Sequence, residues 1–259
     1  MGACLMTELE TPWQLSVLVP SRGRPGSIRR LRDAIRQTAE RPEWIRLMVR
    51  LDDDDPMADN YPLRTMDRIW YSKGPRVRLA GSWNELARVA REHGATHLAL
   101  WGDDNIPLTQ GWDRVLIERL RRDGPGWAYG CDGIWDNHRW REHPEHLILP
   151  TATVMSVELY EALGWISPPG LTHLCIDVAW RDLGVEAGCL FFEPSVMIRH
   201  LHRMMGAPDD QTYRDANDDP EQFRSDNVAS EAWRLSADFQ RDVETVRRLR
   251  AVLRARRTS

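Results

Sequence analysis

Short apolar runs and helix-period segments alternate from Leu15 to Gly124, and this alternation constrains the fold more than any other feature of the sequence. Leu15–Val19 is an apolar run that stops at Pro20, as a buried strand does. Ile28, Leu31 and Ile35 then recur at helical spacing, with Ser27 available as the cap. "WIRLMVR" predicts a second strand that runs into "LDDDDP", "RVRLA" a short third, and "THLALW" a fourth. Between the last two, "GSWNELARVAREHG" presents Trp83, Leu86, Ala87 and Ala90 on one face. Ser82 and Glu85 have capping-box spacing there, and Gly94 stands as a stop. "GWDRVLIERLRRDG" predicts another helix, stopped by Gly124. Strands separated by helices imply a mostly parallel sheet with helices on both faces, an α/β Rossmann-like architecture. Ligands of such sheets bind outside the carboxyl ends of the strands.

The second half is less regular. "GWAYGC" and "LILPTATVM" read as strands, and "SVELYEALG" and "HLCIDVAWRDLG" as helices each closed by Gly. "CLFFEPSVMIRH" is β-like on both sides of Pro194. Residues 206–227 are acidic and poor in apolar side chains, which predicts an irregular loop. Residues 231–259 return to helical period and predict a C-terminal helix with a basic end. At 259 residues the chain makes one large α/β domain or two small ones. Its net charge of −4 argues against broad electrostatic binding to nucleic acid or an anionic membrane. The four cysteines, Cys4, Cys131, Cys175 and Cys189, have no CxxC spacing, so reduced thiols in a cytosolic protein are expected. The N-terminus has no apolar signal region, and no segment approaches the roughly 20 apolar residues of a membrane span. Trp, at 12 residues, is the unusual count: most should pack in the core, although Trp also makes platforms for sugar rings.

The chemistry-bearing residues fall where strands end. "HLALWGDDNIPLTQGW" carries an apolar strand straight into Asp103 and Asp104. Two carboxylates at a buried strand end are costly unless compensated, and a hard divalent cation is a usual compensator. A solvated acidic loop capping the next helix is the plainer alternative. Asp52–Asp55 end the second strand and fit either a nucleobase and ribose or a solvated turn before Pro56. His200 and His202 are two apart near the end of a β-like run, so both suit a metal that Asp104 begins to hold; a core or surface role is the alternative. Asp177 stands among Leu174, Ile176 and Val178, where a carboxyl acquires a raised pKa and suits a general base. Alternatively it is an exposed carboxylate paired with Arg181. Arg22 and Arg24 suit phosphate contacts or a solvated loop. There is no P-loop, no GxGxxG and no nucleophile-elbow Ser, which disfavours kinases, dinucleotide enzymes and that class of hydrolase.

Taken in order, "VLVPSRGRP", "RLDDDDP", "GSWNELA", "LWGDDNIPLTQGW", "HLCIDVAWRDLG" and "IRHLHRMMGAPDDQTY" resemble the GT-A glycosyltransferases, specifically short family 2-like bacterial and phage sequences. The resemblance covers roughly residues 15–213. It implies a metal-dependent inverting transfer of sugar from a UDP- or GDP-type donor, with Mn²⁺ or Mg²⁺ held by Asp104 and His202. By the same resemblance Pro20, Ser21, Arg22, Asp52, Asp53, Asn84 and Asp103 meet the nucleotide sugar, and Asp177 is the catalytic base. Asn105 departs from a strict DxD motif, leaving Asp103-Asp104 as the working pair. The implied organisation is a GT-A domain over residues 1–215, with a nucleotide-sugar half (about 13–125) and an acceptor half (about 126–215), followed by a C-terminal loop and helix over 216–259. Trp135, Trp140 and Trp165 are candidates to shape the acceptor side, with "IWDNHRWREHPEH" as a platform or a surface loop. The implied acceptor is a protein, a glycan or modified DNA, and the implied location is the cytoplasm of a bacterium or phage-infected cell. A nucleotidyltransferase of related fold ranks second, because "PSRGRPGSIRR" has Gly and Arg but no Lys where that class carries a phosphate loop. A non-catalytic nucleotide-sugar-binding protein is the alternative from another class.

Overall fold

The computed structural model of the protein describes residues 12–134, 148–202, 211, 214 and 219–258. The strands are β1 (Leu15–Ser21), β2 (Ile45–Asp52), β3 (Ile69–Gly74), β4 (His97–Leu100), β5 (Asn105–Pro107), β6 (Trp127–Cys131), β7 (Thr153–Ser156) and β8 (Leu190–His200). Among the described residues they form one sheet in the order β3-β2-β1-β4-β7-β6-β8-β5. The β3-β2-β1-β4 half is parallel throughout, and β7 then runs antiparallel to both β4 and β6. β1 lies between β2 and β4, and Leu15, Val17, Leu18 and Val19 are all essentially inaccessible. A strand covered on both faces reads as a continuous apolar run, which is why it was visible in the sequence.

The helices are α1 (Pro25–Thr38), α2 (Arg78–Glu92), α3 (Trp112–Asp123), α4 (Val157–Leu163), α5 (Ile176–Glu186), α6 (Pro220–Arg234) and α7 (Ala237–Thr258). Several local expectations are corrected. α1 opens on Pro25 with Arg24 as its cap residue, so Ser27 lies inside the first turn. The third strand is "IWYSKG", not "RVRLA": β3 pairs in parallel with β2, and residues 78–80 already belong to α2. The capping box is absent, because with α2 starting at Arg78 the Ser82 hydroxyl donates back to the Arg78 carbonyl (2.7 Å). Glu85 instead accepts from Arg50 (2.7 Å) and Ser72 (3.2 Å). Of "LILPTATVM" only the end is strand, in β7. Gly184 does not close α5; it lies within it, where an added Cβ would sit 2.9 Å from the Cβ of Leu190. Its bareness lets α5 pack closely on β8. β8 runs on through Pro194, which lies where the register with β6 shifts, a position that tolerates a missing N–H.

The C-terminal part is two helices rather than one, and the first begins inside the stretch expected to be irregular. Asp219 caps it by accepting from the N–H groups of Glu221 (3.0 Å) and Gln222 (3.2 Å), with Pro220 at the first helical position. The two helices are separated at Leu235–Ser236, and Ser236 accepts from the Phe239 N–H (3.3 Å). In the basic end of α7, Arg250 is buried, donates to the Pro125 carbonyl (2.8 Å) and lies over the Phe191 ring. Trp101, Trp112, Trp127 and Trp180 are fully buried, as the packing reading of Trp expects. Trp165 packs edge-on against Trp233 of α6. Trp135 and Trp140, with most of the loop that carries them, lie outside the described residues, as do residues 203–210. No described helix is long and apolar enough to cross a membrane.

Candidate active site

β1, β2 and β4 run parallel and side by side, so their carboxyl ends open on one rim. A cavity of about 670 Å³ lies there. That is within the range of pockets that hold cofactor-sized molecules. The turn after β4 builds the near wall. Gly102 leaves room in it for the carboxylate: a Cβ would lie 2.5 Å from Asp104 Oδ1 and would displace that side chain. Asn105, buried, accepts from the Gly102 N–H (2.6 Å), so it braces the turn that presents its neighbours. Asn105 thus has a structural part in this turn.

Asp103 is buried and receives the Ser21 hydroxyl (2.5 Å) and Arg24 Nη1 (3.1 Å). Tyr61 completes this cluster, 3.0 Å from Ser21 Oγ and accepting the Arg24 N–H (2.9 Å). Burial pushes the Asp103 carboxyl up to about 6, with the charge of Asp104 adding and Arg24 opposing. At Asp104 burial again pushes upward, but His200 and Arg24 outweigh it and the carboxyl ends below its usual range. His200 Nε2 lies 3.5 Å from Asp104 Oδ2, and Arg24 Nη1 lies 3.7 Å from the same oxygen. Burial opposes the charged form of His200, yet Asp104, with Asp132 and Asp177 behind it, leaves its pKa raised. His202 follows the end of β8 and donates its N–H to the His200 carbonyl (2.8 Å); the two rings meet edge to face at 5.2 Å. Both imidazoles line the cavity through this turn, not through strand alternation.

The four acids of "LDDDDP" have four different environments. Asp52 lines the cavity among Arg22 (3.3 Å), Arg50 (3.2 Å) and Arg76 (3.8 Å). Asp53 is exposed and does not line it. Asp54 pairs with Arg22 at the surface (2.5 Å), and buried Asp55 accepts from the N–H groups of Gly23 (2.9 Å) and Met57 (2.8 Å). Pro20, Ser21 and Arg22 all line the cavity. Asn84 does not: its side chain accepts the Ile166 N–H (2.7 Å), tying α2 to the segment ahead of α5. Asn84 and Asp53 are therefore off the cavity that the sequence reading placed them in.

Asp177 stands in the first turn of α5 and faces the same cavity from the other side of the chain order. Burial raises its pKa in spite of the Val178 N–H it accepts (2.9 Å) and the more distant charge of Arg181. Arg181 donates to Asp182 (2.7 and 2.9 Å), so the expected alternative pairing with Asp177 is not made. The cavity also holds groups that no motif singled out. Arg50 is buried, and Asp132 follows directly after β6, where it accepts the Thr151 hydroxyl (2.9 Å). Its signature, a strand running into an acid in "WAYGCD", is the one that marked Asp52 and Asp103. His173 is held down to about 4 by burial and by Arg78, so it is neutral at pH 7.

No protein-family model matches the sequence, and no curated protein matches it either. The fold does have a solved likeness, a mannosyltransferase from Pyrobaculum calidifontis in complex with GDP-Man and Mn²⁺. The match has a TM-score of 0.59 at 14% identity and covers 95% of this chain and 79% of that one. At that identity the likeness establishes the architecture: an α/β, GT-A-like Rossmann-type fold with C-terminal helices.

Such a fold raises the question of a divalent cation. Among the described residues no group of three or more His, Cys, Asp or Glu side chains converges as a ligand set. The Asp104 carboxylate and the two imidazoles are nevertheless oxygen and nitrogen donors of the kind Mn²⁺ accepts. His200 Nδ1 is buried without a hydrogen-bond partner among the described residues, so that nitrogen has no competing protein acceptor or donor there. A cation that takes few protein ligands and fills its shell with water and phosphate oxygens fits such a partial set.

Proposed function

We propose that this chain is a metal-dependent inverting glycosyltransferase that moves a sugar from a nucleoside-diphosphate donor to an acceptor hydroxyl. One observation carries the reading: Asp52, Asp103, Asp104, Asp177, His200 and His202 share one cavity at the carboxyl ends of parallel strands. The fold likeness to a structure solved with a nucleotide sugar supports the same class, and the motif order supports kinship with the short family 2-like transferases.

In this reading Asp104 and His202, with His200 beside them, would hold Mn²⁺ or Mg²⁺. The chemistry such an ion would supply there is neutralisation of the charge that develops on the departing diphosphate. Asp103 accepts from donor hydroxyls, held in place by Ser21 and Arg24. Asp52 meets the base and ribose, with Pro20, Ser21 and Arg22 forming the adjoining loop. Asp177 takes the proton of the acceptor hydroxyl as that oxygen attacks the anomeric carbon. The raised pKa suits this role, because a base works best when its pKa lies near the working pH. The acceptor class is a protein, a glycan or modified DNA, and the site of action is the cytoplasm.

A panel of UDP- and GDP-sugars, scored by thermal shift with and without Mn²⁺ and then by nucleotide release, tests the reading. The expected result is one donor that stabilises the protein only with the metal and is then turned over. Binding of a sugar nucleotide without any nucleotide release would make the protein a binding module instead.

A further inference from the structure

We infer that Asp226, on α6 outside the stretch that carries the transferase motifs, is the positioning residue for Asp177. This inference rests on the transferase reading. Asp226 is fully buried. Its oxygens accept from the backbone N–H groups of Thr172 (2.9 Å), His173 (3.0 Å) and Leu174 (2.7 Å). They accept also from the Thr172 hydroxyl (3.2 Å) and the Gln222 amide (2.8 Å). Three successive amides of one segment are thus held by one carboxylate. On the far side, the Thr172 carbonyl accepts the Ala80 N–H from the first turn of α2 (3.0 Å). Residue 172 is pinned between two helices.

The pinned segment leads directly into the catalytic wall. His173 and Leu174 line the cavity. Cys175 comes next in a left-handed conformation (φ +62°), and α5 then begins with Ile176 and Asp177. A left-handed non-glycine residue is strained and persists only where its surroundings over-determine it. The Cys175 side chain makes no capping bond to α5; on the helix side its carbonyl accepts the Ala179 N–H (3.0 Å), and on the other side the backbone runs into the segment held by Asp226. Asp226 supplies the N-terminal half of the restraint. It is a carboxylate rather than a neutral acceptor because several N–H donors converge on it, and charge-assisted bonds of this kind are the stronger sort. The C-terminal helices thereby set the direction in which α5 enters and the place where Asp177 meets an acceptor.

Asp113 provides a control. It too is fully buried and accepts two backbone N–H groups, Glu40 (2.8 Å) and Arg41 (3.0 Å), but it lines no part of the cavity. Asp226→Asn and Asp113→Asn each replace an acceptor oxygen by an NH₂ that faces amide donors. The readouts are kcat and donor KM for nucleotide release, with Mn²⁺ and the UDP- or GDP-sugar that the wild type turns over. They are joined by amide hydrogen exchange over residues 172–178. Asp226→Asn should lower kcat by about 10- to 100-fold, the scale of a small misplacement of a reacting group, and leave donor KM unchanged. Exchange over 172–178 should rise in that variant alone. Asp113→Asn should keep wild-type kcat. If Asp226→Asn does not fold, Gln222→Ala loosens the same clamp from its exposed side and should show the same pattern in weaker form. Wild-type kcat in the folded clamp variant, or an equal fall in Asp113→Asn, overturns the inference. A wild type that turns over no sugar nucleotide overturns the transferase reading instead, a result distinct from either.

Discussion

The two walls of the cavity carry the same residue type with different partners. On the β1–β2–β4 rim every cavity carboxylate is answered: Asp52 by three arginines, Asp103 by Ser21 and Arg24, Asp104 by His200 and Arg24. On the α5 wall, Asp177 is raised by burial, and Arg181, the cation nearest in sequence, is engaged by Asp182. The difference separates two tasks. The rim carboxylates are matched by arginine, hydroxyl and imidazole partners, which in the proposed reading give way to a cation and a diphosphate. A desolvated carboxyl that accepts one N–H of its own helix turn and pairs with no cation among the described residues is suited to take a proton.

The contrast breaks most sharply at Asp177. Asp177→Asn should lower transfer by about 10²- to 10⁴-fold, the usual contribution of a placed base. In the wild type the pH dependence of kcat should share this origin. The base must be ionised, so activity falls as pH drops through its pKa. Burial raises that pKa, so the acid limb should lie above the value near 4 of an ordinary Asp. An acid limb at or below 4 would place the base elsewhere. Next in size is Asp104→Asn, which should weaken Mn²⁺ by on the order of 10²-fold in calorimetric titration, at or beyond what loss of a ligand's supporting groups does. Unchanged metal affinity would remove Asp104 from the rim's function. Tyr61→Phe deletes the hydroxyl that bridges Ser21 and the Arg24 N–H. It should cost about 1–3 kcal/mol in denaturant unfolding, from the backbone donor left unpaired. Stability equal to wild type would mean that the Ser21–Asp103 cluster stands without it. Smallest is Asp53→Asn: exposed and off the cavity, it should change donor affinity by no more than about twofold. A larger loss would return Asp53 to the site.

How much of this was legible in the sequence depended on the reach of each interaction. The buried parallel strands were plain, because a strand covered on both faces leaves an unbroken apolar run. The acids at their ends were plain for the complementary reason, that the chain leaves the core there. The third strand was hidden, since β3 lies at the sheet edge with a half-polar sequence, while "RVRLA" alternates like a strand although it opens a helix. Asn84, Ser82 and Glu85 fit local rules, yet their partners Ile166, Arg50 and Ser72 are set by tertiary packing. Asp226 was the least legible: it sits in an acidic stretch that reads as loop, and only the fold brings Thr172–Leu174 to it.

The most direct test of the division between the walls is to measure Asp177→Asn twice, by calorimetric donor titration in Mn²⁺ and by product formation. The account predicts wild-type donor affinity with transfer all but abolished. A variant that transfers at the wild-type rate, or that loses the metal-dependent donor binding along with transfer, would contradict it.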